Sequence, residues 1–131
     1  TCSYLGDLKC EAKHLQSGNL ITTDAPIDHC GKGENFSPTD LLATSLGSCL
    51  LTIMSIKARS NGWELKNIYL DIEKIMTKNK ERKIAQLKID IYIPDDLSKE
   101  KIDFIKNASE DCPVTRNLSE SLDIKINWHN Q

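Results

Sequence analysis

From Ser37 to Arg59 apolar residues recur at helical spacing, and the rest of the chain is arranged around that stretch. Leu42, Leu46, Cys49, Ile53 and Ile56 follow one another at intervals of four, three, four and three, which aligns them on one helical stripe. Leu41, Leu50, Met54 and Ala58 form a second stripe beside it. A helix apolar on most sides is expected to be buried. The small residues Ala43, Ser45, Gly47 and Ser48 leave room for another element to approach closely. Ser37 suits the N-cap, and Pro38 the first helical position, where a missing N–H costs nothing. Asp40 in the first turn and Lys57 and Arg59 in the last complement the helix dipole, and Asn61-Gly62 ends the run. Such a helix is roughly 33 Å long.

Elsewhere the period is two. Leu8, Cys10, Ala12 and His14 alternate with charged residues and predict a half-buried strand. Gln16 to Asn19 reads as a turn and Leu20 to Thr23 as the partner strand. From Asp24 to Phe36 no period survives, which predicts a long loop leading into the helix. After Gly62, Ile68, Leu70 and Ile72 face one way; Leu87, Ile89, Ile91 and Ile93 do the same across the charged turn Thr77 to Arg82. These predict an antiparallel hairpin with one dry face. Ile84 and Leu87 are three apart, so a bulge is expected near Ala85. Ser98 is placed to cap a second helix faced by Ile102, Ile105 and Ala108. That helix breaks at Glu110 to Pro113, with Cys112 in the cap position of a short third helix. Leu122, Ile124, Ile126 and Trp128 alternate as a final strand.

The order predicts a single α+β domain over residues 1–131, with a long buried central helix against an antiparallel sheet. One sheet covers one side of a helix. The second stripe then needs the shorter helix or a second copy of the chain, and a homodimer is the expectation.

Composition narrows the function. A formal charge of −2 without a basic, aromatic-studded patch gives no reason to expect a nucleic-acid partner. The uninterrupted apolar runs are too short to cross a bilayer, and no signal-peptide pattern opens the chain, so no membrane partner is expected. Five cysteines, an odd count with no Cys-x-x-Cys, fit a cytoplasmic protein with reduced thiols. His29-Cys30 has no second ligand pair at metal spacing, so no metal is expected.

Two cysteines stand apart. Cys112 before Pro113 would sit at a helix start, where free N–H groups favour thiolate over thiol, although Glu110 and Asp111 oppose this. Cys49 lies on an apolar stripe, where desolvation alone raises a thiol pKa. By composition alone a cysteine in a buried helix is most often a small hydrophobe. Cys10 reads as core, and Cys2 and Cys30 as incidental.

The run Ser37-Pro-Thr-Asp-Leu-Leu-Ala-Thr-Ser-Leu-Gly-Ser-Cys49, followed far downstream by Cys112-Pro-Val, resembles the OsmC/Ohr family, on its OsmC-like side and not in the classical Ohr branch. The order of elements matches over nearly the whole chain. The resemblance implies an intertwined homodimer with cysteine-based peroxidase chemistry on organic hydroperoxides, in defence against oxidative stress. It makes Cys49 the peroxidatic thiolate and Cys112 the resolving one, closing a disulfide that an external dithiol reductant reopens, with no bound cofactor. Asp40 becomes the acidic orienter. The peroxidase branch carries a glutamate ten positions before the first cysteine, where this chain has Thr39, and an N-terminal arginine, whereas none precedes Arg59 here. Lys13, His14, Lys32 or Arg116 is the candidate cationic activator. The competing expectation is a non-enzymatic protein of the same fold that binds a small hydrophobic or electrophilic ligand at the dimer interface.

Overall fold

The computed structural model describes residues 1–118 and 120–131. The chain divides into two compact units, Thr1–Leu42 and Ala43–Gln131.

The first unit holds a three-stranded antiparallel sheet of β1 (Cys2–Gly6), β2 (Lys9–Lys13) and β3 (Leu20–Asp24), in that order. The hairpin of β2 and β3 follows the sequence pattern, with Leu20 opposite Lys13. Strand β1 is an addition. Its residues Cys2 to Leu5 are all exposed, so no alternation betrays it, and it is fixed instead by a two-residue turn. Asp7 and Leu8 both take left-handed φ angles, 53° and 60°, as a tight hairpin turn requires. The segment after β3 has a 3-10 turn at Ile27–His29 and is pinned at several points. Asp24 Oδ2 accepts the Glu34 N–H at 3.0 Å, Lys32 reaches Asp7 at 2.6 Å, and Lys9 pairs with Glu34. The expected long loop is therefore an ordered strap.

Helix α1 spans Pro38–Ser60. Its start is a reciprocal box: Asp40 N–H donates to Ser37 Oγ at 3.1 Å, and Ser37 N–H donates to Asp40 Oδ2 at 2.9 Å. Six of its residues are buried: Ala43, Leu46, Gly47, Leu50, Met54 and Ala58. They fall on one stripe. Leu42, Cys49 and Ile53 are half-buried and Ile56 is 56% exposed, so the helix is buried on one side and not all round as its composition suggested. By length and hydropathy alone α1 could cross a membrane. Its core stripe shows the other use of such a composition, packing inside a folded domain.

In the second unit β4 (Tyr69–Met76), β5 (Ile84–Ile93) and β6 (Asp123–Asn130) form a sheet in that order. Leu87, Ile89, Ile91 and Ile93 are wholly buried, as their alternation requires. Ile75 lies opposite Gln86 while Met76 lies opposite Ile84, which leaves Ala85 as the extra residue of the expected bulge. A methyl group on Gly47 would fall 2.4 Å from Ile72 Cδ1 and 2.9 Å from Leu70 Cδ1, so α1 approaches β4 where it has no side chain. The sheet is not antiparallel throughout: β6 runs parallel to β5. The connection between them carries α2 (Lys99–Ser109) and α3 (Pro113–Leu118), a crossover long enough to return the chain in the same direction. Ser98 caps α2 through Lys101 N–H, and Ile105 and Ala108 are buried.

Candidate thiol site

Cys49 comes from the middle of α1 and Cys112 from the corner between α2 and α3. Their side chains meet, and both are free thiols. The fold thus brings together the two cysteines that the sequence singled out.

The two sulfurs have different surroundings. Cys112 is wholly buried, and Cys49 is half-buried. Cys112 occupies the cap of α3: its carbonyl accepts Arg116 N–H at 3.1 Å, and its Sγ accepts Thr115 N–H at 3.5 Å. Pro113 begins α3, so the first position has no N–H to satisfy. Thr115 Oγ1 is buried with no well-formed hydrogen-bond partner among the described residues, which leaves its proton free to turn to Cys112 Sγ.

These surroundings shift the two thiols in opposite directions. Burial pushes the Cys49 thiol up, and the neighbouring Cys112 pushes the same way, while the Val114 N–H opposes them. Burial would also raise Cys112. There the neighbouring Cys49, the Thr115 hydroxyl and N–H and the Val114 N–H together outweigh it, so the Cys112 thiol is lowered from its ordinary value. Of the two sulfurs Cys112 is therefore the more acidic.

Arg116 turns its guanidinium to Asp111, 2.7 Å away, and is 64% exposed. Asp111 also takes Lys57 from α1 at 3.0 Å. Those two cations hold its carboxyl below the usual carboxylate range, with Lys57 the stronger influence. Asp40 sits in the capping box of the first unit. There too, Lys32 is bonded to Asp7, and His14 Nδ1 lies 2.7 Å from Ser17 Oγ. Among the described residues no group of three or more His, Cys, Asp or Glu is placed to hold a metal ion. Sequence reading gave Thr115 no role and Lys57 only that of complementing the helix dipole. The available signal for Thr115 was its place three residues after a capping residue, where an N–H bonds the cap side chain.

Residues 31–127 match the family model described as OsmC-like protein. The chain belongs to that family. No curated protein matches it in sequence. Among solved structures it is similar to a protein of Psychrobacter arcticus 273-4 described as osmotic stress induced and of the detoxification response. The two are 40% identical with a TM-score of 0.90, over 98% of this chain and 93% of that one. An OsmC like protein from Mycoplasma pneumoniae is 20% identical with a TM-score of 0.82, over 99% and 94%. The organic hydroperoxide resistance protein OhrB of Bacillus subtilis is 17% identical with a TM-score of 0.70, over 98% and 96%. At those lower identities the likeness is one of fold.

Proposed function

We propose that the chain is a thiol-dependent peroxidase that reduces organic hydroperoxides through Cys49 and Cys112, in a peroxide-related stress role. The observation that carries this reading is the meeting of two free thiols that lie 63 positions apart in sequence. Cys49, the more accessible sulfur, attacks the terminal oxygen of the hydroperoxide and becomes a sulfenic acid. Cys112 condenses with it to a disulfide, and an external dithiol reopens the pair without a bound cofactor. Asp40 serves as the acidic group that sets the start of α1, and Arg116 as a cation beside the Cys112 cap. Similar folds carrying the name organic hydroperoxide resistance protein, from Bacillus subtilis and Elizabethkingia anophelis, support the substrate class.

The protein works as a homodimer in the cytoplasm on this reading. Exposed apolar side chains, among them Tyr4, Leu5, Leu20 and Ile21 on the first sheet and Ile56 on α1, are surface that a second copy would cover. The test is one equivalent of an organic hydroperoxide added to the reduced chain, followed by peptide mapping. A Cys49–Cys112 link is the expected product, and its absence rejects the reading.

The raised Cys49 thiol favours a second reading, in which both sulfurs stay passive and the protein binds a small hydrophobic or electrophilic ligand. Ligand-dependent stabilisation without peroxide turnover would select it.

A further inference from the structure

We propose that Cys112 acts twice in each turnover, first as the base that takes the Cys49 proton and then as the nucleophile that resolves the oxidised sulfur. The proposal rests on the peroxidase reading and supplies what that reading lacks, a group that activates Cys49.

Three observations place the base. The side chains of Cys49 and Cys112 meet, so Cys112 Sγ is at hand to accept the proton that Cys49 must lose. Cys112 is wholly buried, so peroxide meets the half-buried Cys49 first. Thr115 N–H is 3.5 Å from Cys112 Sγ, and the Thr115 hydroxyl is buried without another well-formed partner among the described residues. Donors built around a buried sulfur serve a negative charge there before the reaction begins. The charged groups nearby are otherwise engaged: Asp111 holds Lys57 and Arg116. The lowered thiol of Cys112 and the raised one of Cys49 agree with this geometry.

The steps balance. The Cys112 thiolate takes the proton from Cys49 as the Cys49 sulfur attacks the terminal oxygen. The O–O bond breaks, its electron pair leaves with the alkoxide, and Cys49 becomes a sulfenic acid. Cys112 then gives the proton to the alkoxide, which departs as alcohol, and is a thiolate again. That thiolate attacks the Cys49 sulfur and expels hydroxide, which takes one proton from solvent to leave as water. Two thiol sulfurs are oxidised to a disulfide, and the hydroperoxide is reduced to alcohol and water. Thr115 is a positioning residue that keeps the charge on Cys112.

The experiment uses the full chain with Cys2, Cys10 and Cys30 replaced by serine, a single turnover of tert-butyl hydroperoxide, and mass-spectrometric measurement of Cys49 oxidation against pH. If Cys112 is the base, Cys112→Ser slows formation of the Cys49 sulfenic acid by at least about tenfold at neutral pH. The rate then recovers as pH rises through the ionisation of Cys49 itself. Thr115→Val moves the pH–rate profile of the intact pair to higher pH, and Thr115→Ser restores it. This second pair of variants decides the matter if Cys112→Ser does not fold. An unchanged first-step rate in Cys112→Ser, or an unmoved profile in Thr115→Val, overturns the base role and leaves the peroxidase reading standing. A parent chain whose Cys49 is not oxidised at all overturns both.

Discussion

Lys57 Nζ on α1 lies 3.0 Å from Asp111 Oδ2 at the corner of α2 and α3, so an ion pair ties together the two elements that carry the thiols. Asp111 precedes Cys112 directly and also holds Arg116 at 2.7 Å. The bridge is partly exposed on both sides, which limits its strength and makes it sensitive to salt. Its pH dependence has a definite sign. The folded carboxyl is lowered, first by the hydrogen bond from Lys57, then by that cation's charge. Its stabilisation is complete above the unfolded value of about 3.9 and disappears as pH falls through the lower folded value. Asp111→Asn should therefore lower the melting temperature at neutral pH, and the gap to wild type should close on acidification. Thermal melts across that range, repeated at high salt, check both statements.

Gly47 marks the closest approach of α1 to the sheet. A Cβ there meets the terminal methyls of Ile72 and Leu70 at 2.4 and 2.9 Å. Alanine gains helix propensity of about 1 kcal/mol over glycine but must push those two methyls aside. Gly47→Ala is expected within about 1 kcal/mol of wild type, because the two effects oppose. Gly47→Val adds more volume than the tips can yield and should cost about 2 to 3 kcal/mol. Adding Ile72→Val, which removes the blocking Cδ1, should recover much of that loss. Urea unfolding of the single and double variants measures the coupling.

Much of this architecture was legible in the chain. Alternation along Leu87 to Ile93 announced the dry face of β5, the spacing of Ile84 and Leu87 announced the bulge, and Ser98 and Cys112 announced the caps. The misses have common physical causes. Strand β1 buries nothing, so its pairing left no pattern in Cys2 to Gly6. The direction of β6 depends on the path of the α2–α3 crossover, while Leu122 to Trp128 would alternate identically in either direction. Helix α1 has two apolar stripes of similar strength, and composition could not say that Met54 lies inside and Ile56 outside. For the site, residue types marked Cys49 and Cys112. That their side chains meet, and the part of Thr115, needed coordinates.

The contrast between Met54 and Ile56 gives a test of its own. Met54 is wholly buried on the core stripe, and Met54→Ala should cost about 2 to 5 kcal/mol in unfolding experiments. Ile56 is 56% exposed, and its truncation to alanine should change the unfolding free energy of the isolated chain by less than about 0.5 kcal/mol. A lysine at the same place would oppose burial against a second copy. With the homodimer proposed above and this face inside its interface, Ile56→Lys shifts sedimentation towards the monomer while leaving the circular dichroism spectrum unaltered. An Ile56→Lys protein that sediments as the wild type does would remove this face from the interface.

Oxidation should leave a mark on stability that does not depend on any enzymatic assay. A bond between Cys49 and Cys112 would close a loop across 63 positions of chain. In the chain-entropy account a loop of that size lowers the entropy of the unfolded state enough to stabilise the fold by about 4 kcal/mol, less any strain in the folded state. The two side chains already meet, so little rearrangement of the two helical elements is required. The peroxide-treated chain is expected to unfold at higher denaturant concentration than the reduced chain, and dithiothreitol should reverse the gain. Cys49→Ser and Cys112→Ser should each abolish it, whereas a chain with serine at Cys2, Cys10 and Cys30 should keep it in full. Equal stability of the oxidised and reduced chains, with the bond verified by mapping, would mean that native-state strain offsets the entropy and that the closed pair is a readily reduced one, as a catalytic disulfide must be.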